Sequence, residues 1–132
     1  MDLTVTAGDL SGVPLFEGLG TYALTEIAEN AVKTYVRPQM TLAKQGDHGF
    51  GFAVILSGHA DVKVDGEVVA TLGPGDVFGE MSLATGARRS ADVVSKAQMV
   101  VAQMMIWDYR SLVDKHPEVK DRIDQLVADR SG

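Results

Sequence analysis

The 132-residue sequence has no cysteine, which removes disulfides, thiolate catalysis and Cys-ligated metal sites together. Stability has to come from packing. The sequence also lacks any excess of positive charge. Lys plus Arg number 12 against 18 Asp plus Glu, a net of −6, and that balance opposes the phosphate backbone of nucleic acid, so no direct nucleic-acid binding is expected. Long apolar runs are missing as well, the longest falling far below the roughly 20 residues that span a bilayer. The start, Met1-Asp2-Leu3-Thr4-Val5, carries an early acid, no basic residue and no apolar core. Neither a signal peptide nor a membrane anchor is expected, and the expectation is a soluble cytoplasmic protein with no direct membrane insertion.

What is present is an ordinary globular mix, 45% hydrophobic and 23% charged, in a length that fits one domain with one core. Leu24, Ile27, Ala28 and Ala31 fall at i, i+3, i+4 and i+7, the spacing of one helix face. From Val36 the texture changes, and short apolar runs are broken by Gly46, Gly49, Gly51, Gly58, Gly66, Gly73, Gly75 and Gly79. Turns at such intervals leave no room for helices and imply antiparallel strands. Ala60 to Val64 alternates, Asp65-Gly66 is a tight-turn signal, and Glu67 to Leu72 returns, which together predict a hairpin. Ala91 to Ser95 and Gln98 to Ile106 read as two further strands, the second rich in Val and Met and therefore expected in the core. Pro117 suits a first helical turn, and Val119, Ile123, Leu126 and Val127 form the apolar stripe of a final helix.

The expected fold is therefore mainly β with flanking helices. It is an antiparallel jelly-roll, or double-stranded β-helix, with an N-terminal helix and C-terminal lid helices. On this reading 1–132 is a single domain, helical over about 10–34, a β-roll over about 35–106 and helical again over about 107–130.

The segment that carries chemistry is Gly73-Pro74-Gly75-Asp76-Val77-Phe78-Gly79-Glu80-Met81-Ser82-Leu83, followed by Ala84-Thr85-Gly86-Ala87-Arg88-Arg89-Ser90. It reads as a loop, a short helical turn and a strand entry. Gly79 allows close approach of backbone to a ligand, and the turn beginning there points free N–H groups outward, a ready anion site. An acid at such a site needs a different partner, so Glu80 points to a ligand hydroxyl that donates to its carboxylate. Arg89 supplies a fork of N–H donors with a permanent charge, and Ser90 a further hydroxyl. The ligand so described carries phosphate and hydroxyl together.

Phe78-Gly79-Glu80-Met81-Ser82-Leu83 with Arg89-Ser90-Ala91 resembles the phosphate-binding cassette of cyclic nucleotide-binding domains, a family that includes kinase regulatory subunits, catabolite activators and gated channels. The likeness runs from Pro14-Leu15-Phe16 through Gln45-Gly46-Asp47, Val54 to Gly58 and Leu72 to Asp76, as far as Pro117. It implies that the backbone N–H groups of Gly79 to Met81, with Ser82 beside them in the cassette and the side chains of Arg89 and Ser90, hold a cyclic phosphate. It implies also that Glu80 accepts from the ribose 2′-OH. The implied ligand is cAMP, with cGMP as second candidate. No cofactor, metal or catalytic residue is expected, and the protein is expected to be a sensing module that switches an effector protein or a parent-chain domain through its C-terminal helices. Two departures stand out. Gln39 follows Arg37-Pro38 where the family usually has Gly, and Arg88 stands where many relatives have proline. If a strand begins at the two arginines, Arg88 points to solvent and Arg89 into the barrel mouth.

Plainer readings compete. Taken singly, Glu80 is a solvated acid at a helix start, Arg89 a surface charge and Ser90 a turn residue. A domain of the same fold that binds no nucleotide and serves as an interaction platform is the first alternative. A jelly-roll metalloenzyme is the second, disfavoured because His48, His59 and His116 lack ligand spacing; His48 and His116 are expected to be exposed turn or helix-end residues. Asp108, Asp114, Asp121, Asp124 and Asp129 are expected to form a solvated acidic face, and Trp107 and Tyr109 to pack as ordinary aromatics.

Overall fold

The computed structural model describes residues 3–47, 51–79 and 88–131, with backbone alone at 106, 107, 130 and 131. Helix α1 (Ala7–Leu10) is closed by a reciprocal cap: the Asp9 N–H donates to Thr6 Oγ1 at 3.2 Å and the Thr6 N–H to Asp9 Oδ2 at 2.9 Å. Burial works against the Asp9 charge, but the Thr6 N–H and the Lys33 ammonium outweigh it and hold the carboxyl below its usual range. A 3-10 turn (Pro14–Phe16) leads to α2 (Thr21–Glu29), which buries the face Leu24, Ile27 and Ala28 that the spacing implies.

The described strands are β1 (Val32–Val36), β2 (Thr41–Ala43), β3 (Gly51–Ser57), β4 (Ala60–Val64), β5 (Glu67–Leu72), β6 (Val77–Phe78), β7 (Asp92–Ser95) and β8 (Met99–Met105). They form two antiparallel four-stranded sheets, in the orders β1-β8-β3-β6 and β2-β7-β4-β5. The architecture is mainly antiparallel β with flanking helices, as expected. The predicted hairpin is β4-β5, and Asp65 at φ +51° with Gly66 at φ +84° supplies the two left-handed residues that its tight turn requires. Val62 pairs with Ala70 and Lys63 with Val68, so Val69 is an extra, bulged residue. Strand β1 starts at Val32, ahead of the change of texture at Val36, because its five residues pair with Met99 to Gln103, far along the chain.

The sheet containing β3 and β8 is covered on both faces. Phe52, Val54, Ala102 and Met104 join the helices in one core cluster, whereas Ala53, Ile55, Met99 and Val101 pack between the sheets with Val36, Ala43, Ala60, Phe78 and Val93. That two-sided burial is why β3 and β8 read as nearly continuous apolar runs. Helix α3 (Ile106–Lys115) and helix α4 (Pro117–Ser131) close the chain, with Pro117 at the start of α4 where its missing N–H costs nothing. Val119 and Ile123 of α4 are fully buried against the helical core, and Arg122 Nη1 donates to the Leu15 carbonyl at 3.0 Å. Lys115 Nζ donates to Glu26 Oε1 at 2.7 Å, tying α3 to α2; this bond holds the Glu26 carboxyl below its ordinary value and raises Lys115 above its own. No helix among the described residues is long and apolar enough to cross a membrane.

Gln39 sits at φ +61°, the left-handed conformation that a glycine would take freely. The turn is held by Ser95, which is fully buried: its Oγ donates to the Arg37 carbonyl at 2.6 Å and accepts from the Met40 N–H at 2.9 Å, while the Gln39 N–H donates to the Ser95 carbonyl at 2.9 Å. Ser95→Ala leaves buried backbone groups unmatched and should lower unfolding stability by about 1–3 kcal/mol. Gln39→Gly removes the left-handed penalty and should raise stability by up to about 1 kcal/mol, the extra freedom of glycine in the unfolded chain taking back part of the gain. Denaturant unfolding of both variants checks the pair, and effects of the same sign would contradict this account of the turn.

Candidate functional site

Strand β6 carries Phe78 into the interior and hands over to Gly79, whose φ of +93° suits glycine. Space excludes a side chain there as firmly as conformation does. A Cβ at Gly79 would overlap the Arg89 guanidinium at Nη1 and lie 2.8 Å from the Gly51 carbonyl oxygen. Arg89 is fixed from both ends. Its backbone N–H donates to the Asp47 carbonyl at 2.7 Å and its carbonyl accepts from the Gly46 N–H at 2.8 Å, while Nη2 donates to the Gly51 carbonyl at 2.9 Å. Arg88 is exposed and reaches back, Nη1 donating to the Gly46 carbonyl at 3.1 Å. The two neighbours do part company, but not because a strand begins at them. Strand β7 starts only at Asp92, and the backbone pairing of Arg89 with Gly46 and Asp47 sets its direction instead.

Arg89 lines a cavity of about 450 Å³. Val62 and Val64 of β4, Val69, Ala70 and Leu72 of β5, and Ala43, Val93 and Phe78 make its apolar wall, with Gly79, Ser90 and Ala91 beside the arginine. The wall follows from the alternation along β4, which sends Val62 and Val64 to one face and Asp61 and Lys63 to the other. Among the described residues, charged or hydroxyl side chains enter this lining only as Arg89, Ser90 and Asp129 of α4. Arg89 also lines a second hollow of about 280 Å³ together with Lys44, Asp47 and Gln103. A half-buried guanidinium at an apolar hollow is equipped to hold an anionic group whose attached body is largely apolar.

The structure thus brings Gly79, Arg89 and Ser90 to one cavity. Glu80, Met81 and Ser82 lie outside the described residues, as do His48 and the short helical turn expected after Gly79. The side chain of Trp107 is likewise outside them, whereas Tyr109 is buried edge-on against Phe52 with ring centroids 5.8 Å apart. His116 ends α3 half-buried, its Nδ1 3.7 Å from Glu118, and so is not the exposed residue expected from its position. His59 packs its ring on Gly73. Among the described residues no three His, Cys, Asp or Glu side chains gather as metal ligands.

The acidic face needs two corrections, the first being that Asp108 is half-buried. Asp114, Asp121 and Asp124 are exposed as expected and Asp124 pairs with Lys120 at 2.9 Å, but Asp129, though exposed, also lines the cavity. Sequence reasoning missed this because the position of Asp129 depends on how α4 docks. The apolar lining of β4 and β5 was missed too, although the alternation of the hairpin marks it.

Residues 33–116 match the family of the cyclic nucleotide-binding domain, and the chain belongs to that family. It is 36% identical over 99 residues to a cAMP-dependent protein kinase regulatory subunit of Yarrowia lipolytica, covering 74% of this chain and 26% of the relative. It is 30% identical over 123 residues to a cyclic nucleotide-gated potassium channel of Rhizobium etli, covering 93% and 34%. The crystal structure of the Thermus thermophilus catabolite activator protein superposes with a TM-score of 0.79 at 29% identity, over 89% of this chain and 57% of that one. The chain therefore spans between a quarter and about a third of the length of the two curated relatives.

Because Gly79 and Arg89 share one space, Gly79→Ala should destabilise the fold by about 1–3 kcal/mol. Combined with Arg89→Ala it should cost less than the sum of the single changes, since the displaced group is gone. Strict additivity in such a double-mutant cycle would show that the two residues are not in contact.

Proposed function

We propose that this chain is a cyclic nucleotide sensor that binds cAMP in the 450 Å³ cavity and passes the binding event to an effector protein or parent-chain domain without performing chemistry. The observation that carries the proposal is the Arg89 guanidinium, anchored to the Gly51 carbonyl and lining a hollow whose walls are otherwise mostly apolar. Its volume falls within the roughly 300–1,000 Å³ of small-ligand sites. In this reading Arg89 and Ser90, with the N–H groups of Gly79 to Met81, hold the cyclic phosphate. Glu80 accepts from the ribose 2′-OH, and the purine lies along Val62, Val64 and Leu72. Membership of the family supports these roles, and so do the relatives named for cAMP-dependent kinase regulation and cyclic nucleotide gating.

Helix α4 serves as the lid. Its first half is committed to the core through Val119 and Ile123, while Leu126 and Val127 are only partly buried. The distal half is therefore the part whose docking a ligand biases, by making contacts that exist in the closed arrangement alone.

Ligand that binds the native state and not the unfolded chain raises thermal stability by mass action, by about 2.7 kcal/mol at 100 times Kd. The thermal midpoint should rise by several degrees with saturating cAMP. Arg89→Ala, which strips a partly desolvated phosphate of its counter-charge, should weaken binding by about 2–5 kcal/mol, at least some thirtyfold. Arg88→Ala should leave Kd nearly unchanged. A binding loss in Arg88→Ala with none in Arg89→Ala would reverse the assignment, and no thermal shift with millimolar cAMP or cGMP would end the proposal.

A further inference from the structure

Part of the cavity wall is a hairpin whose tip runs past the sheet that supports it. Strand β4 pairs with β7 from Ala60 opposite Ser95 to Lys63 opposite Asp92, the first residue of β7. Val64, which lines the cavity, and the turn residues Asp65 and Gly66 therefore stand beyond the last rung, and β5 is the edge of its sheet. Asp65 is held by a side chain 20 residues away in sequence. The Gln45 amide donates from Nε2 to Asp65 Oδ1 at 3.1 Å and accepts the Asp65 N–H on Oε1 at 2.9 Å, a closed pair that uses both functions of the amide. Gln45 is itself fixed at its backbone, where its N–H donates to Asp92 Oδ1 at 2.7 Å, and the next residue, Gly46, donates its N–H to the Arg89 carbonyl. One residue thus reaches from the segment that anchors Arg89 to the tip of the hairpin that walls the cavity.

Resting on the cyclic nucleotide reading above, we infer that Gln45 is a positioning residue for the base: it latches the tip of the β4-β5 hairpin to the Arg89 segment and so holds Val62 and Val64 at the spacing from the arginine that a base-bearing cyclic phosphate fills. Gln45 acts on the wall and leaves the ligand to it. A two-stranded ribbon with an open edge twists readily and is marginal by itself, so where it runs past its sheet its position depends on what fastens its end. With the latch made, the apolar side chains stand ready to cover a base. With the latch broken, the tip samples outward positions and binding has to bring it back, so apparent affinity falls with the fraction of time the wall spends in place. That loss falls on the base, which meets the hairpin, and spares the cyclic phosphate, which meets Arg89 and Ser90.

Titration of the full 132-residue chain tests this with two ligands: cAMP, and methyl β-D-riboside 3′,5′-cyclic phosphate, which keeps the sugar and the cyclic phosphate and has no base. Gln45→Ala should weaken cAMP by about five- to tenfold and the baseless ligand by less than about twofold. Gln45→Glu, which sets a carboxylate against Asp65, should cost cAMP at least as much. Asp65→Asn alone should leave cAMP binding nearly unchanged, because its Oδ1 still accepts from Gln45. Added to Gln45→Glu it should restore cAMP affinity, its Nδ2 donating to the new carboxylate while its N–H is accepted as before. Asparagine before Gly66 also suits the tight turn, so the rescued variant should keep the fold, as ligand-free thermal midpoints will report. Equal weakening of both ligands or unchanged cAMP affinity in Gln45→Ala, or a loss in Gln45→Glu that Asp65→Asn does not restore, overturns the inference while leaving nucleotide binding intact. Absence of cAMP binding by the unaltered chain overturns the cyclic nucleotide reading and this inference with it.

Discussion

Arg89 links the segment around the start of β3, 38 residues away in sequence at Gly51, to the end of β6. Its backbone is paired with Gly46 and Asp47 ahead of β3, its Nη2 reaches the Gly51 carbonyl at the start of β3, and its Nη1 occupies the space that a side chain at Gly79 would need. The arrangement is possible only because residue 79 is glycine, with φ +93°. The arginine is therefore held in place by the roll before any anion arrives, which reduces what binding must spend on ordering a long side chain.

The same roll connects that anchor to the helices. Strand β3 runs from Gly51, beside the arginine, into a segment where Ala53 and Ile55 face the inter-sheet core and Phe52 and Val54 face the helical one. Phe52 meets Tyr109 of α3 edge-on, and Val119 and Ile123 of α4 are buried in the same cluster. Close packing of this kind resists gradual deformation, so the proposed switching would take the form of a shift between discrete dockings of the helices. The Arg122 bond to the Leu15 carbonyl and the Lys115–Glu26 pair fasten the base of the helical segment. At the other end of α4, Asp129 lines the cavity.

What could be read in the sequence was what local chemistry decides. Asp65-Gly66 specified a turn from two residues, Leu24, Ile27 and Ala28 specified a helix face, and Pro117 marked a helix start. The pairing of Gly79 with Arg89 was legible because the motif preserves both residue types at fixed spacing, even though the strand invoked to separate Arg88 from Arg89 is absent and backbone pairing with Gly46 and Asp47 does that work. Features decided by distant partners were not legible. Ser95 looked like an ordinary strand residue, yet its hydroxyl organises a turn 55 residues away in the chain. Gln39 departed from the glycine usual at its position, and only the backbone shows that it adopts the glycine conformation regardless. Asp129 was expected on a solvated acidic face, and its place on the cavity is a consequence of helix docking that no local pattern encodes.

The central claim is that Arg89 and the apolar hollow together form a site for a cyclic phosphate attached to a base. Equilibrium titration of the chain with cAMP, compared with 5′-AMP at the same ionic strength, tests it most directly, because the two ligands share base and ribose and differ in the phosphate. Saturable one-to-one binding of cAMP, with 5′-AMP at least tenfold weaker, a difference of about 1.4 kcal/mol, is the expected result. Equal affinity for the two, or no saturable binding of cAMP, would contradict the account.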